Sequence, residues 1–339
     1  MDWTGGYSAS WSVAVVDQAT WADSGQLEGV REVSVSRDGT DDVPLVETGT
    51  MKLDANSFDW AWCRIYMTAF QGGAEKVPMA TLLFERQSAT HDKGTTEISC
   101  RGRSVLQPAA DRRMARGSFV AEGADGAAYA ASLLRQCTPA PVEVAGSFTL
   151  VDDVVFDVGA SYLDAVWQLL NAANWCIQVD GNGVVTVLPM PTEPALELSG
   201  ANAGLLIPGV GDDSSLVDVP NRYYAVMDGE VAVATNEDPS SAASLQARGR
   251  WVDLVDESPV LVDGESLEHY AVRKLAEAET VTRKFSYERE FWPGVVPFSI
   301  VRASLPANGL EGDLRVMTQS LCCGRGVKVS ETSGLEVRL

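Results

Sequence analysis

The chain has 339 residues, 45% of them hydrophobic and 22% charged, a balance that suits a soluble globular protein with room for two or three cores. Its formal net charge of −21 excludes ordinary groove binding of nucleic acid, which needs Lys and Arg to neutralise phosphates. No apolar run approaches the roughly 18–20 residues that span a bilayer, and the opening MDWTGGYSASW has neither the basic nor the continuous apolar region of a signal peptide. Folding in a reducing cytoplasm, without stable membrane association, is the resulting expectation.

Residues 7–16 alternate as a strand, with Trp11, Val13 and Val15 on one side. Residues 20–25 read as a loop with Trp21 as an aromatic anchor. Val33, Val35 and Arg37 repeat the strand pattern ahead of Asp38-Gly39, a turn signal. Leu45-Val46 and 51–54 predict a further strand pair, and Trp60, Trp62, Arg64, Tyr66 and Thr68 alternate before Gly72-Gly73. Residues 81–85 form a strand ending on a charge. His91, Asp92, Lys93 and Gly94 are a turn, and 96–100 return as a strand. Strands at this spacing, separated by polar turns, predict an all-β barrel or sandwich.

Residues 101–116 then carry Arg101, Arg103, Arg112, Arg113 and Arg116 against the single acid Asp111, while 121–220 hold thirteen acids and only Arg135. This inversion marks the hand-over between domains. The arginines read either as a solvated loop or as a docking surface for an acidic neighbour, within the chain or on another copy. Helices are predicted over 125–137, ended by Thr138-Pro139, and over 160–174. In the second, Ser161 and Asp164 make a capping-box pair, and Leu163, Val166, Trp167, Leu170 and Ala173 share a face. A hairpin follows: Trp175, Ile177 and Val179, the turn Asp180-Gly181-Asn182-Gly183, then 184–188. Pro189, Pro191 and Pro194 mark a linker.

The chain returns to β at Val217, Val219, Tyr223, Ala225 and Met227, turns at Asp228-Gly229, and continues through Val231 and Val233. Residues 236–250 read as an exposed loop. Residues 266–282 are helical, with Leu267, Tyr270, Ala271, Lys274, Leu275 and Ala278 on one face. The remainder predicts strands over 284–290, 295–303, 315–320, 326–330 and 335–339, with 305–313 as a connection. The expected domains are 1–117, 118–212 and 213–339.

The residues offer little for catalysis. The two histidines, His91 and His269, lack the neighbours of a zinc site or a nucleophile triad. The six cysteines are scattered without a Cys-x-x-Cys pair, and buried free thiols are expected. No phosphate-binding glycine loop occurs. Asp180-Gly181-Asn182-Gly183 starts like a calcium loop but lacks the downstream glutamate. Carboxylate pairs such as Asp152-Asp153 and Asp212-Asp213 are uninformative in so acidic a chain. The nine tryptophans suit a glycan platform or, in better accord with their apolar neighbours, core and subunit contacts. No enzyme activity, cofactor or metal is expected.

Several segments, in order, carry a resemblance: Gly49 to Asp54, Arg64-Ile65-Tyr66, 81–85 with Gly102-Arg103-Ser104, the helix and hairpin ending at Gly183, Val219-Pro220-Asn221-Arg222-Tyr223, and the helix near 266–282 followed by terminal strands. Over nearly its whole length the chain resembles the baseplate hub and late-control tail proteins of long-tailed bacteriophages. The resemblance implies an α+β, mainly β fold: two tube-type β-barrel domains, an inserted α+β domain, and a long helix in the C-terminal part. It further implies a homotrimer whose six barrels form a pseudo-hexameric ring. That ring would join the tail tube and distal tail proteins to tip or fibre proteins, and phage DNA would pass through its lumen. Acids lining that lumen are expected from the net charge. The protein would fold in the host cytoplasm and reside in the virion tail. The alternative is a tail-associated protein that binds or hydrolyses cell-wall glycan.

Overall fold

The computed structural model describes residues 3, 7–39, 45–55, 57–92, 95–150, 153–213, 219–227, 229–257, 266–324 and 327–338. The turn residues Lys93, Gly94 and Asp228, the strand residue Val217, Asp152, and the Arg325-Gly326 pair fall outside them. The chain divides into two compact units, residues 1–210 with 286–333, and residues 211–285 with 334–339.

The first unit is built on a large, mainly antiparallel sheet belonging to a 13-stranded path. From Leu310–Cys323 the path runs through Val30–Asp38, Val46–Asp54, Thr95–Arg103, Ala74–Asp92, Trp60–Phe70 and Ser8–Val16 to Asp23–Gln26. Among the described residues this path stays open at its ends. Strict alternation explains the strands: Val46–Asp54 buries Glu47, Gly49, Met51 and Leu53 and turns Val46, Thr48, Thr50 and Lys52 outward. The buried side chains, including Met51, Ile65, Met67, Leu82 and Phe84, form one continuous core.

Several expected boundaries move. The second half of the 20–25 loop is the strand Asp23–Gln26, paired with Ser8–Val16. The strand expected to end at Glu85 continues to Asp92 and pairs with Thr95–Arg103, so His91 and Asp92 sit in the ladder. Pro194 opens the strand Pro194–Leu198, which pairs parallel with Ile300–Leu305. A proline tolerates a first strand position because no ladder donor is needed there. Val295 to Ser299 precede the latter strand rather than belonging to it. Leu310 already begins the strand that the sequence placed at 315, and a short helix, Leu245–Arg248, interrupts the 236–250 loop.

An α+β layer packs on this sheet. Helix Gly126–Arg135 starts at Asp125, whose side chain accepts from the Ala127 and Ala128 amides. Helix Tyr162–Ala172 starts with the expected capping box of Ser161 and Asp164. Strands Trp175–Val179 and Val185–Pro189 form the expected hairpin, and Val142–Val144 adds a parallel strand. Ala127, Leu134, Val166, Leu170, Ile177 and Val187 fill a core that also takes Leu45 and Trp62 from the sheet. Each fully buried Leu contributes about 1.5–3 kcal/mol.

The hairpin turn is docked on the sheet. The Gly181 carbonyl accepts from Thr81 Oγ1 at 2.9 Å. The Asn182 carbonyl accepts from Arg64 at 3.0 Å and from the Trp21 indole at 2.9 Å. Arg64, itself buried, also holds Asp23 at 2.9 Å. A side-chain carbon on Gly181 would lie 2.0 Å from the Pro78 carbonyl oxygen, and Gly183 adopts φ +74 against Thr81. Only glycine permits that approach and that backbone.

The second unit has strands Glu230–Thr235, Arg222–Met227 and Asp253–Asp256 in that order, the first pair antiparallel and the second parallel. Helix Leu267–Ala278 packs Leu267, Tyr270, Ala271 and Leu275 on Tyr223, Ala225, Ala232 and Ala234. Asn221 is fully buried and replaces missing ladder contacts, donating to the Ala243 and Arg250 carbonyls at 3.0 Å and accepting from the Val252 amide at 2.8 Å.

Gly181→Ala is expected to cost more than about 1 kcal/mol, read as a lower urea midpoint. Gly25→Ala, where nothing lies within 4 Å of the added carbon, should leave the midpoint nearly unchanged.

Candidate assembly interface

The strongest polar feature of the first unit is inside it. Arg37 alternates with Val33 and Val35, so the strand pattern turns it toward the core, where it is 2% exposed. It donates to Glu47 at 2.8 Å, to the Gln319 side-chain oxygen at 2.9 Å and to the Met79 carbonyl at 2.8 Å. Glu47 also accepts from Ser104 at 3.1 Å. Arg289 alternates in the same way with Phe285 and Tyr287, and forms a two-bond fork with Glu331 at 2.8 and 2.6 Å. The Gln319 amide nitrogen donates to Glu331 at 2.7 Å and to the Val295 carbonyl at 2.9 Å. One amide thus joins two buried ion pairs, its oxygen facing a cation and its nitrogen an anion. Burial pushes the Glu47 carboxyl upward while Arg37 opposes it. Burial works to lower the Arg289 pKa, but the Glu331 carboxylate prevails and the guanidinium stays firmly charged.

The five sequence-predicted docking arginines separate into two places. Arg101 and Arg103 lie on strand Thr95–Arg103, and Arg103 meets Glu85 at 3.3 Å. Arg112, Arg113 and Arg116 follow the short helix Gln107–Asp111. Arg112 donates to the Gln136 carbonyl at 2.6 Å, just past the C-terminus of helix Gly126–Arg135, and lies over the Tyr162 ring at 4.7 Å. Arg113 approaches Asp164 at 3.6 Å, both well exposed, and Arg116 is exposed.

Two exposed apolar faces stand out. In the first unit, Phe119 and Val155 face each other across the ribbon of Ser118–Val120 and Val154–Phe156, with Val158 beside them. In the second unit, Val231, Val233 and Val255 are about half exposed on the three-stranded sheet. Patches of this kind mark contact surfaces. The sequence hid them because a strand reads the same whether its apolar face is covered or open.

Among the described residues, no group of three or more His, Cys, Asp or Glu is arranged to hold a metal ion. His91 Nδ1 lies 2.9 Å from Thr96 Oγ1 on the exposed hairpin, and His269 is an exposed helix residue. Cys63, Cys100, Cys176 and Cys323 are buried, Cys137 is half-buried and Cys322 is exposed. Burial pushes the thiols of Cys63, Cys176 and Cys323 up to about 12 and that of Cys100 to about 11. Trp62 and Trp175 belong to the core, and Trp21 packs on Trp62.

No protein-family model and no curated protein sequence matches this chain. Its structural neighbours include tail proteins of phage and prophage origin. The tail protein from Neisseria meningitidis MC58 aligns with a TM-score of 0.64 at 14% identity, over 97% of each chain. The 43 kDa tail protein of prophage MuSo2 from Shewanella oneidensis aligns at 0.64 and 11% identity, over 96% of this chain and 98% of that one. Prophage tail protein gp18 from Listeria monocytogenes aligns at 0.53 and 10% identity, over 95% and 94%. At these identities the likeness establishes a shared fold, and it extends across essentially the full length of both chains.

Two measurements check this account. Arg289→Met, which strands Glu331 in the core, is expected to cost about 3–5 kcal/mol in urea unfolding, and Arg289→Met/Glu331→Leu should recover most of that loss. Titration of the native chain at neutral pH with a thiol reagent should find Cys322 reacting first and Cys137 slowly. The four buried cysteines should react only on unfolding.

Proposed function

We propose that the chain is a structural hub of a phage tail tip or baseplate, assembling as a trimeric ring around a DNA-conducting channel. The carrying observation is the doubled construction of the first unit. One half, from Ser8–Val16 to Thr95–Arg103, holds Arg37–Glu47 across adjacent strands. The other half, which includes Leu310–Cys323 and 286–289 with 327–333, holds Arg289–Glu331. The halves join edge to edge where Thr318 to Cys323 pair with Asp38 to Val33. Each half serves as one tube-type β element of the ring, so three copies supply six such elements. That number fits a six-fold tail tube on one side and a three-fold tip on the other.

The fold shared with tail proteins supports the same reading. The partners are a second and third copy, tail-tube and distal tail proteins, and tip or fibre proteins; DNA is only a passing occupant. The role is mechanical rather than catalytic, with assembly in the host cytoplasm and residence in the virion tail. The arginines around 112–116 and the two apolar faces are candidate contacts within that assembly.

Light scattering at two concentrations, alone and mixed with the tail-tube protein, tests the ring. A mass three times the 36.3 kDa of the chain is expected. A single-chain mass under all these conditions would sink the ring.

A further inference from the structure

The two exposed apolar faces differ in build. In the second unit, helix Leu267–Ala278 covers the side of the sheet that carries Tyr223, Ala225, Ala232 and Ala234. Strand alternation sends their neighbours to the other side. There Val231 pairs with Val226, and Tyr224 lies between Val233 and Val255. The only charged strand residues on that side are Arg222 and Asp253, directly opposite each other and closed into a fork at 2.7 and 2.8 Å. The Arg222 guanidinium also lies over the Trp251 ring at 4.6 Å and the Tyr224 ring at 5.3 Å. Arg, Tyr and Trp beside an apolar centre are the residues that anchor protein contacts. This face is broad and carries no net charge on its strands.

The ribbon of the first unit is narrow. Phe119 and Val155 form a direct pair, 63 and 66% exposed, while Val120 and Phe156 beside them turn into the core. A side-chain carbon on Gly117 would lie 3.7 Å from Val158 Cγ2, so the apolar patch reaches back along the chain toward Arg116. Exposed charges of both signs surround it in sequence: Arg112, Arg113 and Arg116 on one side, Glu122, Asp153 and Asp157 on the other.

We infer that these two faces are the two sides of one contact, in which the Phe119–Val155 ribbon of each copy seats on the valine face of the next copy. The inference rests on the ring reading above and names the surfaces that close it. A three-fold ring is closed by a head-to-tail contact, which needs two different patches on every copy; a patch that meets itself closes a two-fold dimer instead. Charge favours the same pairing. Copies of −21 charge repel at long range, so they meet best where charge is cancelled or opposed. Arg222 and Asp253 cancel within the valine face. Glu230, Glu237 and Glu257 are exposed at the ends of its strands, and Arg116 of the ribbon has no ion-pair partner among the described residues.

Phe119→Glu and Val233→Glu, both at exposed positions, test the contact. Each should abolish the trimer in light scattering while leaving the urea midpoint of the chain nearly unchanged. A trimer that persists in both variants overturns the inference and leaves the ring standing. Disulfide trapping then identifies the partner, in a Cys322→Ser background that removes the exposed native thiol. Phe119→Cys and Val233→Cys chains, mixed and oxidised with copper phenanthroline, should yield a linked pair of chains that neither variant gives alone. A linked pair from one variant alone makes a face meet itself. An internal bridge in the double variant, with single-chain mass, makes the faces meet within one chain. Either result overturns the inference. A chain that never assembles, alone or with tail-tube protein, overturns the ring and this inference together.

Discussion

Gln319 is the joint on which the first unit depends. A guanidinium–carboxylate pair in an apolar core is tolerable only when nearly every donor and acceptor is met, because each desolvated charge costs several kcal/mol. Arg37 and Glu47 meet that condition with Met79, Ser104 and Gln319, and Arg289 and Glu331 with Glu290 and Gln319. The primary amide is suited to the middle position because it offers an acceptor and a donor at once. It therefore couples two charge pairs without adding charge. It also pins the register of the central strand, since a one-residue slip would turn Gln319 to the solvent face.

Around that joint the fold holds its layers together through backbone groups. The helical layer is fastened to the sheet by backbone carbonyls of a glycine turn, gripped by Arg64, Thr81 and Trp21. Arg64 and Thr81 alternate with Cys63, Ile65 and Leu82, so the layer is fastened to the face of the sheet opposite the core those residues build. The same face carries Thr48 and Thr50 beside Val46 and the paired charges of Lys52 with Glu32 and Arg103 with Glu85. The exposed apolar residues Phe119 and Val155 stand on a separate ribbon, with Val158 two residues past its end, and the stretch that bears Arg113 and Arg116 leads into it.

The acids behind the net charge of −21 are spread over the fold. Strand acids such as Glu32, Glu85 and Glu97 pair with Lys52, Arg103 and Arg31, and others stand in loops and at helix ends, as with Asp164 in its capping box and Asp238 in its turn. Repulsion of a polyanion does not require acids in contact with it, because the field of the whole molecule reaches to about a Debye length.

Much of this fold was legible in the residues themselves. Period-two alternation located the strands around Val33, Met51, Trp62 and Ile98, and 3.6-residue periodicity with Ser161 and Asp164 located the helix at Tyr162–Ala172. Local patterns stop at the edge of an element, however. That Arg37 faces the core is readable from Val33 and Val35; that its partners are Glu47 and Gln319, the latter 282 positions away, is decided only when distant strands pair. The glycine turn announced a hairpin, but its docking against Pro78 and Thr81 depends on packing that no short window contains. Sequence determined which residues lie on the same side of each strand, because backbone geometry is local. Tertiary structure decided which sides are covered, and thereby which became core and which stayed exposed, because burial is a property of the folded whole.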